Sequence, residues 1–192
     1  MTKPSILLKI PLERAGAVIG PEGATKKLIE TKLGIELQID GDTGDVTLTL
    51  TEKAPDASLL YRSKEVVTAI GRGFSPEKAF RLIDDEDAIL DIIDLRLAFG
   101  KSDSDIKRVK GRIIGMEGKT RRLIEELTDS SVAVYGHTVG LIGNMDEIQI
   151  AREAVEMLVR GSLHATVYRF LNRKRRELKK KKMEIWEPRP PK

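Results

Sequence analysis

A twelve-residue word occurs twice in this chain. Residues 19–30 read IGPEGATKKLIE and residues 114–125 read IGMEGKTRRLIE, with eight identical positions and two further Lys/Arg exchanges. A sequence repeated at an offset of 95 means two copies of one unit, and each copy must satisfy the same fold. The correspondence runs past the word. Gly16 matches Gly111 before it, and Leu37, Ile39 and Gly41 match Val132, Val134 and Gly136 after it. Further on, Arg72-Gly73 leading to AFRLI corresponds to Arg160-Gly161 leading to VYRFL. There the offset is 88, so the first copy carries seven more residues, placed around Asp42-Thr43-Gly44 and near Lys53-Ala54-Pro55.

Hydrophobic spacing gives the order of elements. Ile6, Leu8 and Ile10 alternate as in a strand; Leu90, Ile92 and Ile93 do so less cleanly. The residues after the word alternate and end at Gly, predicting a strand and a turn. A second strand follows, with Val46, Leu48 and Leu50 in one copy and Val139 and Leu141 in the other. Asn144, with Asp146 and Glu147 behind it, predicts a helix start, and Ile148, Ala151, Val155 and Leu158 give that helix an apolar stripe. Leu59, Val66, Val67 and Ile70 do the same in the first copy. Ser75-Pro76 predicts the start of an exit helix. Each copy therefore reads strand, short helix, Gly-x-x-Gly, helix, strand, strand, helix and an additional helix. The units expected are residues 1–84, 85–172 and a basic helical extension with a Pro-rich tail at 173–192, with Asp84–Asp87 read as a solvated linker.

Composition limits the chemistry. The absence of cysteine excludes disulfides, thiolate metal sites and cysteine nucleophiles. Few amides and 33% charged residues fit a thermophile. Aromatics are 4%, so a dense base-stacking platform is not expected. No apolar run approaches the ~20 residues that span a bilayer, and the N-terminus lacks a signal-peptide layout. A cytoplasmic protein with no membrane association and no cofactor is expected. His137 and His164 lack the setting of a catalytic triad, and no metal-ligand spacing appears, so no enzymatic activity and no catalytic or metal-binding residue is expected. Gly118-Lys119-Thr120 ends like a phosphate-binding loop of the Walker A type, but the required first glycine falls at Ile113.

The repeated word carries the chemistry. Two glycines three apart between helices permit tight bends and leave no side chain above the turn. The following helix presents free N–H groups and its positive dipole end to the same place, which suits a phosphate. The candidate residues are Gly20, Pro21, Glu22, Gly23, Ala24, Lys26 and Lys27 in copy one. In copy two they are Arg112, Gly115, Met116, Glu117, Gly118, Lys119, Arg121 and Arg122.

This word in a βααββα order, twice, resembles the KH domain of type I. The fold expected is α+β, with two tandem KH units, each a three-stranded antiparallel sheet covered by helices, and an additional helix after each. The resemblance implies a clamp on about four nucleotides of single-stranded RNA. It implies a base groove lined by Ala17, Ala24, Leu28 and residues 35–39 in copy one, and by Ile113, Leu123 and residues 131–135 in copy two. Glu22 and Glu117 depart from the basic residue usual between the glycines. The richer cationic surround of copy two marks it as the expected principal contact. The stretch GRIIGMEGKTRRLIEELTDSSVAVYGHTVGLIG and the exit IGRGFSPEKAFRLI look like the partner-of-Nob (Dim-type) family of ribosome assembly proteins in its archaeal form. That resemblance implies small-subunit rRNA near its 3′ end as target and a non-catalytic role. It also implies the rRNA-trimming endonuclease and pre-ribosomal proteins as partners. A general RNA-binding protein of decay or translation, and a protein-interaction scaffold, remain the alternatives. The tail RKRRELKKKK, with eight basic residues in ten, reads as a solvated helix extension or a polyanion-binding arm, and Trp186 as incidental or as a partner anchor.

Overall fold

The structure, a computed structural model, describes residues 4–52 and 56–186, with side chains described as far as Lys180. Lys53-Ala54-Pro55 and the residues after Trp186 lie outside the described residues. The first copy runs β1 (Ser5–Lys9), α1 (Leu12–Ile19), α2 (Ala24–Leu33), β2 (Ile35–Ile39), β3 (Asp45–Leu50), α3 (Ser58–Gly71), α4 (Pro76–Ala79) and α5 (Arg81–Asp84). The second runs β4 (Ile89–Asp94), α6 (Arg96–Phe99), α7 (Asp103–Ile114), α8 (Lys119–Thr128), β5 (Ser131–Tyr135), β6 (Thr138–Gly143), α9 (Met145–Val159) and α10 (His164–Trp186). Each sheet is antiparallel with the late strand in the centre, in the orders β1-β3-β2 and β4-β6-β5. This is the expected pair of α+β units. Among the described residues no helix is long and apolar enough to cross a membrane.

Local chemistry accounts for most element ends. Asn144 caps α9 with a reciprocal capping box: its side chain accepts from the Glu147 N–H, while Glu147 accepts from the Asn144 N–H at 3.1 Å. Ser75 and Ser102 cap α4 and α7 with their hydroxyls, which accept from the Lys78 and Asp105 N–H groups. The final Glu of each repeated word has a structural task. Glu30 accepts from the Leu37 N–H and Glu125 from the Val132 N–H, both at 2.9 Å, so each ties its helix to the following edge strand.

The two sheets differ in what covers them. On β2 and β3 the residues facing away from the helices are polar, including Glu36, Gln38, Thr47 and Thr49, and that face meets solvent with Leu7 73% exposed. On β6 every position is buried. Val139 and Leu141 join the core under α8 and α9, while Ala133 and Ile142 join the core of the first unit with Phe74, Ala79 and Leu82. The second sheet is therefore sealed on both faces, as a both-faces-covered sheet requires of apolar strands. Polar contacts frame this junction. Arg81 donates to the Asp129 carbonyl at 2.5 Å and to the buried Glu147 carboxylate at 2.6 Å, Lys78 pairs with Glu125 at 2.5 Å, and the Tyr135 hydroxyl donates to Glu13. Arg14 holds the α3–α4 turn from within, donating to Ile70 O and Phe74 O.

Three expectations need correction. The exit helix of the first copy is broken at Phe80 into α4 and α5, because the chain tightens there (ψ −16°) and directs Arg81 onto the second unit. The acidic stretch Asp84–Asp87 is not simply solvated: Asp84 pairs with Lys32 at 2.5 Å, and Arg62 donates to the Glu86 and Ala88 carbonyls at 2.9 and 2.7 Å. The helix entered at His164 continues through the basic stretch to Trp186, so Met183–Trp186, which the Pro-rich composition of residues 183–192 predicts to be irregular, is helical. The small helix α6 has no counterpart in the first copy and was not foreseen.

Candidate nucleic-acid interface

Both Gly-x-x-Gly turns adopt one backbone geometry. Gly20 and Gly115 have φ/ψ of 73°/174° and 73°/175°, and Gly23 and Gly118 both have 75°/13°. Between them Glu22 and Glu117 lie at φ 50°, a left-handed conformation that costs an L-residue about 1–2 kcal/mol. Such strain, repeated in two copies, is what a constrained functional turn carries.

The two glycines of each turn serve different ends. A Cβ on Gly20 would sit 2.2 Å from Thr25 Oγ1, and one on Gly115 would sit 2.3 Å from Thr120 Oγ1. Thr25 and Thr120 are buried, and Thr120 shares a 2.8 Å hydrogen bond with the Tyr168 hydroxyl of α10, so the first glycine is required by packing. A Cβ on Gly23 would meet nothing within 4 Å, and one on Gly118 only the Arg121 guanidinium at 3.9 Å. Open space therefore lies above the second glycine. Neither α2 nor α8 has a side-chain cap at its N-terminus; the first N–H of each donates to the turn before it, Ala24 N–H to Pro21 O and Lys119 N–H to Met116 O, and the positive dipole end of each helix lies at that space.

The cations divide into engaged and free. Arg112 is turned away from the turn: its guanidinium donates to the Ser162 carbonyl, and His164 Nε2 lies 2.9 Å from the Arg112 carbonyl oxygen. Arg122 donates to the Glu117 carbonyl at 2.9 Å, bracing the strained peptide. Lys26 stands 4.0 Å from Glu30. The side chains of Lys27, Lys119 and Arg121 have no hydrogen bond or ion pair among the described residues. Pro21, Glu22, Ala24, Met116 and Glu117 are exposed around the turns, Met116 at 83%. Ile113 is fully buried in the second core and lines no groove. The repeat offset pairs it with Val18, also fully buried, and pairs Ala17 with Arg112; one residue on a helix is a rotation of about 100°. Leu28 and Leu123 keep an exposed or half-buried position beside their turns.

Beside Gly118 lies a recess of about 320 Å³ lined by Ile114, Arg121, Val132, Ala133 and Val134 together with Gly73, Phe74, Ser75 and Lys78 of the first unit. Sequence reasoning placed β5 and the turn there but missed the first-unit residues, which are far away in the chain. Among the described residues no cluster of His, Cys, Asp or Glu could hold a metal ion.

Two βααββα units with this turn between their first two helices define a tandem type I KH protein. Residues 89–176 match the second KH domain of PNO1, described as the eukaryotic type, and residues 5–60 match the KH domain family. The chain is 48% identical over 94% of its length to a KH domain-containing protein of Methanocaldococcus jannaschii, covering 78% of that protein. It superposes with a TM-score of 0.81 at 46% identity on Dim2p of Pyrococcus horikoshii, covering 89% of this chain and 99% of that one. It also superposes, with a TM-score of 0.83 at 45% identity, on a chain of the a/eIF2alpha–aDim2p–rRNA complex from the same organism, covering 91% of this chain and 96% of that one. The chain belongs to the Dim2/PNO1 family of KH proteins, in its archaeal form. Eukaryotic relatives are longer: the match to the RNA-binding protein pno1 of Dictyostelium discoideum is 25% identical and spans 59% of that protein.

Proposed function

We propose that this protein is a non-catalytic assembly factor that grips single-stranded RNA of the maturing small ribosomal subunit, near the 3′ end of its rRNA. The turn at Gly115–Gly118, with Lys119 and Arg121 beside it, is the principal clamp, and Gly20–Gly23 with Lys26 and Lys27 is a second. The carrying observation is the open space over Gly118, faced by the N-terminal end of α8 and by an Arg121 side chain that has no partner among the described residues. Family membership and the rRNA named in the complex of the Pyrococcus relative support the same reading. The units would be residues 1–84 and 85–172 with the basic extension behind them, and the rRNA-trimming endonuclease would act alongside this protein.

The test is a titration of short single-stranded RNAs across salt. A clamp on about four phosphates gives a slope of log affinity against log salt near −3, or roughly a 50-fold loss between 50 and 200 mM. No affinity at low salt, or affinity indifferent to salt, refutes the clamp. Replacing Met116-Glu117 by Asp-Asp should weaken binding more than the same change at Pro21-Glu22; equal losses would remove the ranking of the two copies.

A further inference from the structure

The recess beside Gly118 has part of its lining from outside its own unit. Its floor is the apolar run Val132–Val134, suited to the face of a base, and Arg121 connects it to the Gly-x-x-Gly turn. Lys78 of the first unit reaches the same recess. Its ammonium is held at 2.5 Å by Glu125, whose same oxygen accepts from the Val132 N–H, so the cation is fixed relative to the floor. An ammonium has three donors, and this pair uses one. We propose that the recess receives one base of the bound strand and that Lys78 reads its edge, donating to a carbonyl oxygen. Guanine, cytosine and uracil offer such an oxygen, whereas adenine places an amino group there. The inference rests on the RNA clamp proposed above and adds a specificity-determining residue, supplied across the junction between the two units.

The test uses the full chain and a panel of short RNAs in which each position of a good binder is changed in turn to adenine. At one position adenine should cost wild type about tenfold in affinity, the scale of a hydrogen bond to a charged group. Lys78→Met, of similar length without a donor, should remove that penalty and leave the other positions as they were, and Lys78→Arg should retain it. Glu125→Gln removes the charge of that pair, while its amide oxygen can still accept from both Val132 and Lys78 and so keeps the ammonium placed; it should also retain the penalty. The inference is overturned if Lys78→Met discriminates like wild type. It is equally overturned if Glu125→Gln loses discrimination as Lys78→Met does, since the ion pair rather than the ammonium would then be responsible. Gly118→Asp separates this from the clamp: if it leaves RNA affinity intact, the clamp itself fails.

Discussion

Gly140 lies at the centre of the sealed face of the second sheet, and adding one methyl there tests the junction directly. A Cβ at this position would sit 2.6 Å from Phe74 Cε2 and 3.2 Å from Cζ. Carbon atoms pack at about 3.5–4.0 Å, so the ring must retreat by roughly 1 Å. Phe74 has little freedom to do so: it is 1% exposed, and its carbonyl accepts from Arg14 at 2.7 Å. Overpacking of this kind costs about 1–3 kcal/mol. Taking about 2 kcal/mol, Gly140→Ala should lower the melting temperature by roughly 4–8 °C for a chain of this size. Phe74→Leu removes the ring atoms that collide and alone costs about 1–2 kcal/mol of lost burial. In a urea double-mutant cycle the two changes together should therefore cost at least about 1 kcal/mol less than their sum. Strict additivity, or a Gly140→Ala protein within about 0.5 kcal/mol of wild type, would refute the view that Phe74 seals the second sheet.

Two further outcomes follow from the turn and from one ion pair. Gly115→Ala meets Thr120 and a glycine-only conformation, so it should cost about 3 kcal/mol in urea unfolding. Gly118→Ala, left-handed but in open space, should cost about 1 kcal/mol; equal costs would remove the distinction between the two glycines. The Arg96 guanidinium, hydrogen-bonded to Asp94, holds that carboxyl at about 2 against the opposing effect of burial, helped by the Arg96 N–H and by His137. Because the folded value lies below the unfolded one of about 3.9, the contribution is complete above pH 4 and is lost as pH falls toward 2. Asp94→Asn should flatten that part of the acid limb of stability, and an unchanged limb would show the pair to be inert.

The duplication made much of the fold legible, since two copies constrain one another. The strands, the order around the turn and the Asn144 cap all lie where local chemistry places them. What escaped was long-range. The apolar residues at 132–134 and 139–142 occupy both parities of their strands, and that signal of a sheet covered on both faces was present but unread. The turning of Arg112 onto Ser162 and the arrival of Lys78 beside β5 depend on contacts between residues about 50 positions apart. No periodicity encodes such contacts. The candidate glycines and their cations were legible as a motif, and the division between a packing glycine and an open one was not, because it depends on where Thr25 and Thr120 point.

The sealed second sheet also has a consequence for synthesis. Phe74, Ala79 and Leu82 leave the ribosome about 60 residues ahead of Ile142, the last residue of the second sheet that packs with them. At about 5–20 residues per second that face stays uncovered for roughly 3–12 s on every chain made. The nascent first unit thus carries a temporary apolar patch, closed only when its own duplicate arrives.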